Sequence, residues 1–396
     1  MSDPIVIASA ARTAMGGFQG DLSSLTSPEL GGVAIRAAVA RAGLAPEQIE
    51  EVIMGCVLSA GVGQAPARQA ALRAGLPLSA GCTTVNKVCG SGMKATMLAH
   101  DLLTAGSNAV MVAGGMESMS NAPYMLPKAR GGYRLGHGQL LDHMFFDGLE
   151  DRYSEENKGR LMGTFAEDCA SHYQFSRAVQ DEFAVASTTR AQAAIQGGDF
   201  EWEIAPVSIS GRKGETIVSR DEQPLKAQLD KIATLKPAFK QDGSVTAANS
   251  SSISDGAAAL VLMRRSTAEQ LGVAPLATIV GHATHGQAPQ WFTTAPVGAM
   301  QKVLAKAGWR VGDVDLWEIN EAFAVVTLAA IRELELAHDK VNVNGGACAL
   351  GHPIGASGAR ILVTLLGALR RRGGKRGVAS LCIGGGEATA MAVELC

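Results

Sequence analysis

Gly43 and Gly308 lie 265 positions apart, and each ends a run that reads as a helix. The first run is Ala34-Ile35-Arg36-Ala37-Ala38-Val39-Ala40-Arg41-Ala42, and the second spans residues 299–307. Neither contains a breaker, and a glycine just past the last turn is a common helix stop. Strand-like runs follow both, at residues 49–54 and 314–319, again 265 apart. A second match pairs Val112-Ala113-Gly114-Gly115-Met116-Glu117 with Cys382-Ile383-Gly384-Gly385-Gly386-Glu387, at an offset of 270. A duplicated α/β unit would produce this pattern, and so would chance similarity between two ordinary α/β units. Strands alternating with helices on both sides predict two doubly wound α/β layers.

Residues 118–246 differ in character. They carry charge clusters such as Glu150-Asp151-Arg152 and Glu155-Glu156-Asn157-Lys158, and a turn-like Ser210-Gly211-Arg212-Lys213-Gly214. Such a stretch reads as an insertion packed over the two units, a usual place for substrate-binding loops. Its charge clusters also suit a plain solvated face.

The chain has 396 residues, 47% of them hydrophobic, enough for a large core in two or three domain-sized units. A net charge of −2 and 5% aromatic residues give no pull toward nucleic acid and no base-stacking platform. No apolar run reaches the roughly 18 residues of a membrane span. The seven cysteines are unevenly spaced and form no C-x-x-C, so reduced thiols in a cytoplasmic protein are expected, with neither a disulfide framework nor a metal site. The first residues lack the charged start and apolar core of a signal peptide.

Four segments carry the chemistry. In Val85-Asn86-Lys87-Val88-Cys89-Gly90-Ser91-Gly92-Met93, a cysteine ends an apolar run and a helix-like pattern begins. A helix N-terminus is predicted to lower the Cys89 pKa and raise its thiolate fraction. Gly90 and Gly92 are expected to leave room for substrate beside the backbone. A buried, inert Cys89 is the bland alternative. Glu318-Ile319-Asn320-Glu321-Ala322-Phe323 ends a strand-like run, where α/β folds bind ligands. Asn320 could orient a water, donate to an oxyanion or simply cap a helix, and Glu321 could hold an imidazole. In Gly351-His352-Pro353-Ile354-Gly355, glycines and a proline fix His352 before a helix from about Ser357, making it the best candidate base of the eight histidines. In Leu381-Cys382-Ile383-Gly384-Gly385-Gly386-Glu387, a second strand-end cysteine meets a turn whose free N–H groups suit an oxyanion.

These four blocks, in this order, resemble the motif blocks of the thiolase family, and the resemblance runs through Gly114-Gly115-Met116-Glu117-Ser118-Met119 and residues 249–259 to cover essentially the whole chain. It implies an α/β fold of duplicated halves layered α-β-α-β-α with an inserted loop domain. The implied layout is a first half at 1–117, a CoA-binding loop domain at 118–246, a return to the first half at 247–270 and a second half at 271–396. The implied reaction is Claisen condensation of two acetyl-CoA to acetoacetyl-CoA plus CoA, and the reverse thiolysis, through an acyl-cysteine. Cys89 would be the nucleophile and His352 its base. Cys382 would move the proton at the carbanion. Asn320 would hold a water that forms one oxyanion hole with His352, and the N–H groups of Cys89 and Gly384 would form the other. Leu161, Met162, Ser251, Ala322 and Phe323 would line the substrate tunnel. CoA and acetyl-CoA would be substrates, with no permanently bound cofactor. Residues 121–144, with Lys128, Arg130 and Arg134, resemble the loop through which family dimers pair into homotetramers.

Some positions depart from the family. Leu161-Met162-Gly163 stands where short-chain biosynthetic members carry His-Met-Gly. Gln290-Trp291-Phe292-Thr293-Thr294-Ala295-Pro296-Val297 resembles the mitochondrial type, which accepts a 2-methyl branch. A degradative thiolase for longer or branched chains is therefore the nearest rival. Cys348 replaces an aliphatic residue and reads as a packing variant, and the basic CoA-contact position near 224 is Pro224, with Lys226 and Lys231 nearby. A decarboxylating ketosynthase would show two histidines where Cys382 supplies the second group. A CoA carrier of the same fold would lack the catalytic set. A nucleotide-binding dehydrogenase would need G-x-G-x-x-G after the first strand.

Overall fold

The computed structural model describes residues 3–211 and 214–396. The first unit contains β1 (Ile5–Arg12), β2 (Gly16–Gly17), α1 (Ser27–Arg41), β3 (Glu51–Gly55), α2 (Pro66–Arg73), β4 (Gly81–Val85), α3 (Ser91–Ala105) and β5 (Val110–Ser118). The intervening segment carries β6 (Tyr124–Met125), β7 (Leu141–Asp142), α4 (Met162–Tyr173), α5 (Arg177–Gln196), β8 (Val207–Gly211), β9 (Gly214–Val218) and α6 (Glu222–Lys226). The chain then returns through β10 (Ser254–Arg264) and α7 (Arg265–Leu271). The second unit follows with β11 (Ala277–Gly286), α8 (Ala295–Ala307), β12 (Leu316–Ile319), α9 (Ala324–Glu333), α10 (Ala347–Leu350), α11 (Ser357–Arg372), β13 (Arg376–Ile383) and β14 (Glu387–Leu395). The predicted turn at 210–214 joins β8 to β9, but its central Arg212 and Lys213 lie outside the described residues.

The duplication is real, and its register is clear. In the first unit β5 lies parallel to β3 and antiparallel to β10; in the second, β13 lies parallel to β12 and antiparallel to β14. β3 and β12 begin 265 positions apart, as the helix-stop glycines do. Gly43 and Gly308 both adopt φ of +69°. The offset of 270 at the second match is a coincidence of glycines. Val112 faces Val52 on β3, and its counterpart opposite Trp317 on β12 is Val378, 266 positions on. α3 and α11 also start 266 apart. Gly114 and Gly115 therefore sit inside β5, whereas Gly384 and Gly385 form the turn after β13.

Three apolar clusters make the layers. One packs α1 and α2 on the outer face of the first sheet, through Leu30, Ile35, Ala70 and Val112. Another packs α8 on the outer face of the second sheet, through Met300, Val303, Trp317 and Ala390. Between them, α3 and α11 share a central cluster with both sheets, where Met93, Leu103, Leu362 and Leu366 meet Ile53, Leu260, Leu381 and Met391. α11 is buried on every face up to Leu369, as a middle layer requires. The two sheets are continuous through one short seam, where Val6 and Ile7 of β1 pair antiparallel with Thr278 and Ala277 of β11, so that together they count ten strands. Buried charge fastens the inserted segment to this frame. Arg12 of β1 donates to Glu203 at 2.5 Å and to both oxygens of Asp221 at 2.7 and 2.9 Å. No helix among the described residues is long and apolar enough to cross a membrane.

Candidate active site

The N-terminal end of α3, the end of β13 and the loop before α11 converge on one cavity of about 360 Å³. Cys89, His352, Gly384, Leu161, Met162, Ser251, Ala322 and Phe323 all line it. Asn320 and Cys382 are fully buried behind this lining. Cys382 packs with Ala322, Phe323 and Met162, and stands close enough to Cys89 for the charge of one sulfur to oppose that of the other. The sequence analysis missed Phe145, Leu149, Phe239, Phe292 and Ile354, which supply most of the remaining apolar wall. The inserted segment contributes Phe145, Leu149 and Phe239, so it roofs the pocket. No local motif marks Phe145, Leu149 or Phe239, because only the return of the insert over the second unit brings them near Cys89, whereas Phe292 and Ile354 lie in segments already singled out in the sequence but without a lining role.

Cys89 sits two residues before Ser91, the first residue of α3, and Val88 before it is held at φ +46°. A β-branched residue rarely adopts that conformation, and strain of this kind is found where a side chain must be aimed. Gly90 and Gly92 do not make room for substrate, as expected, but for the protein. A Cβ on Gly90 would lie 2.4 Å from Ile383, and one on Gly92 would lie 2.8 Å from the Ala359 backbone nitrogen in α11. These contacts press the nucleophile segment against the second unit.

The expectation of a low Cys89 pKa is overturned. Burial pushes the thiol up to about 11, outweighing hydrogen bonds to the sulfur from the N–H groups of Gly384 and of Cys89 itself. Those same two N–H groups form a ready cradle for negative charge, as the resemblance implied.

His352 complements this thiol. Burial lowers its pKa to about 3, so the resting ring is neutral and carries one nitrogen lone pair. The Ser357 hydroxyl donates to the Pro353 carbonyl at 3.0 Å and accepts from His352 Nδ1 at 2.5 Å. That assignment leaves Nε2 as the lone-pair nitrogen. Nε2 has no hydrogen-bond partner among the described residues, nor do Nδ2 and Oδ1 of Asn320. Buried polar atoms without a partner are uncommon and mark groups kept for a ligand or water.

Carboxylates brace the loops. Glu117 accepts from the backbone N–H groups of Val57, Leu58 and Gly355 at 2.9, 3.1 and 2.9 Å, tying the His352 loop to the end of β3. Glu321 does not hold an imidazole. It accepts from Asn342 Nδ2 and Ser187 Oγ at 2.7 Å and from the Cys348 N–H at 3.0 Å. Asn320 caps no helix either, because α9 starts at Ala324 after Phe323. The Cys348 thiol is held far above its ordinary pKa by burial and by Glu321, which suits a packing role. Lys226 is paired with Glu222.

Two α/β units around a shared helical layer, with a half-buried cysteine and a neutral imidazole on one roofed apolar pocket, define an enzyme that carries acyl groups on cysteine. The comparisons give the family. The thiolase N-terminal domain matches residues 5–266 and the thiolase C-terminal domain matches residues 273–395, and the chain belongs to the thiolase family. It is 52% identical over 392 residues to an acetyl-CoA acetyltransferase of Cupriavidus necator, covering 98% of this chain and 99% of that one. It is 54% identical over 394 residues to acetyl-CoA acetyltransferase 2 of Arabidopsis thaliana, covering 99% and 97%. The Acat5 thiolase of Ascaris suum, solved with coenzyme A, superposes with a TM-score of 0.93 at 42% identity, covering 99% of this chain and all of that one.

Proposed function

We infer that this protein is an acetyl-CoA C-acetyltransferase, which condenses two acetyl-CoA to acetoacetyl-CoA plus CoA and catalyses the reverse thiolysis. CoA and acetyl-CoA are its substrates, not resident cofactors. The observation that carries the reading is the Cys89 sulfur, cradled by two N–H groups on the cavity that the neutral His352 also lines.

In thiolysis, Cys89 passes its proton to His352 Nε2 as the sulfur adds to the ketone carbon. The carbon–carbon bond breaks, and the departing acetyl-CoA carbanion takes a proton from the Cys382 thiol. CoA thiol then gives its proton to Cys382 and attacks the acyl-Cys89 thioester. Cys89 leaves as the thiolate and recovers its proton from His352. Condensation is the reverse sequence, and the kinetics are ping-pong. The high pKa of Cys382, set first by burial, keeps it a thiol ready to donate. The N–H groups of Cys89 and Gly384 stabilise the oxyanion on the carbon bonded to Cys89. The Asn320 amide, with His352, serves the enolate through a held water. Cys89→Ala is expected to lower turnover by about 10⁴-fold or more.

Longer or 2-methyl-branched substrates are the second reading, favoured by Leu161 and the apolar lining of Phe145, Leu149 and Phe292. CoA-dependent cleavage of acetoacetyl-, 2-methylacetoacetyl- and 3-ketooctanoyl-CoA, with Cys89→Ala as control, separates the two. Fastest turnover of the unbranched short substrate supports the first. Preference for either of the others supports the second. Cleavage that survives in Cys89→Ala would overturn the mechanism. A homotetramer, a dimer of dimers, is supported by the exposed apolar arm around Leu126, Leu135 and Leu140. Cytoplasmic location is supported by seven cysteines, all free.

A further inference from the structure

α3 bears a second cluster of reactive side chains, far from Cys89. His100 and Asp101 lie near its C-terminal end, and His282 projects to them from β11 of the other unit. Three atoms converge. Asp101 Oδ1 is 3.0 Å from His100 Nδ1 and 2.9 Å from His282 Nε2, and the two nitrogens are 3.2 Å apart. The imidazoles stand nearly perpendicular, at 86°. His100 and His282 are mostly covered, at 21% and 14% side-chain exposure, and Asp101 is half open at 54%.

Hydrogen bonding between neutral rings cannot satisfy this triangle. If both rings donate to Asp101, two N–H groups face each other across 3.2 Å. If only one donates, the other ring's lone pair is left against the carboxylate oxygen, and if neither donates, two lone pairs face each other as well. A divalent cation satisfies all three at once. Bonds of about 2.0–2.1 Å to such a triangle place the ion roughly 1 Å out of its plane. Ligand atoms of a tetrahedral site would be separated by about 3.3 Å, so the side chains need open by only a few tenths of an ångström. Asp101 leaves the fourth position facing solvent. We propose that His100, Asp101 and His282 form a site for a divalent transition-metal ion of the zinc type, clamping α3 to β11 across the two units.

The sequence analysis named no metal ligand, since residues 100, 101 and 282 form no motif. His100 lies nine positions past Ser91, roughly 14 Å along the helix from its Cys89 end. The clamp is therefore structural and takes no part in acyl transfer. Lys306, the neighbouring cation, donates to the His282 backbone carbonyl at 2.8 Å and leaves the ring nitrogens free.

Cobalt(II) titration of the chelator-treated, desalted full chain tests the site, because its spectrum distinguishes thiolate from nitrogen and oxygen ligands. One cobalt per chain is expected, with ligand-field absorption, no thiolate charge-transfer band and displacement by zinc. Cys89→Ala should bind equally. Asp101→Ala and His282→Ala should each weaken binding by about 10–100-fold, at least the loss seen for groups that merely support a metal ligand. Asp101 is exposed enough that its variant folds even if His282→Ala does not. Unchanged affinity in Asp101→Ala, a charge-transfer band lost in Cys89→Ala, or no saturable binding would each overturn the assignment.

Discussion

At the scale of single residues, the thiol and the imidazole are tuned by the same burial in opposite senses. Burial disfavours charge, so it raises Cys89 and lowers His352. Sequence context named both groups but mispredicted the thiol. The helix N-terminus was legible at Ser91, whereas the roof supplied by Phe145, Leu149 and Phe239 was not. The imidazole has a consequence for stability. Its folded value of about 3 lies below the ordinary 6.5, so folding favours the neutral ring. That contribution is complete above pH 6.5 and is lost as pH falls from there toward 3. At pH 5 the loss amounts to about 2 kcal/mol. His352→Asn should therefore unfold with a shallower dependence on pH between 6.5 and 4 than the parent chain, in urea titrations at each pH. Parallel curves for the two proteins would mean that the ring is not held neutral.

At the scale of elements, the close crossing of α3 and α11 sets where Cys89 stands. A Cβ on Gly92 would meet the Ala359 backbone nitrogen at 2.8 Å, and one on Gly358 would meet the Met93 backbone nitrogen at 2.5 Å. Backbone cannot swing aside as a side-chain tip can, so either alanine must push the helices apart. Overpacking of this kind costs about 1–3 kcal/mol. Gly92→Ala and Gly358→Ala should each lower the urea midpoint. Together they should cost less than the sum, because the first separation relieves the second contact. Fully additive losses would place the two contacts in independent regions. The elements themselves were legible where a stop signal bounds them, as at Gly43 and Gly308. The 270-residue match shows the limit of such reading. Glycines continue a strand at Gly114 and turn the chain at Gly384, and only the strand partners tell the two apart.

At the scale of the whole molecule, the sequence disclosed two α/β units and an insert. It could not disclose the seam between β1 and β11, because Val6 and Ile7 look like any buried strand residues. It also could not assemble the pocket roof, which depends on how residues 118–246 fold back. The same insert carries an arm whose exposure a lone chain does not explain. Tyr124–Met125 pairs with Leu141–Asp142, and between them Leu126, Leu135 and Leu140 stand 53%, 99% and 64% exposed. Apolar side chains grouped this way on a short projecting hairpin suit a contact with another copy of the chain. The arm lies outside the catalytic cavity, so assembly and chemistry should separate on mutation. If the chain assembles as proposed, Leu126→Glu combined with Leu135→Glu should convert the proposed tetramer to a smaller particle in sedimentation velocity, while each chain keeps its thiolysis rate to within about twofold, as exposed substitutions away from a site usually do. Unchanged mass would remove the arm from the assembly contact. Loss of activity in step with loss of mass would mean that the arm supports the active site, and that the pocket is complete only in the larger particle.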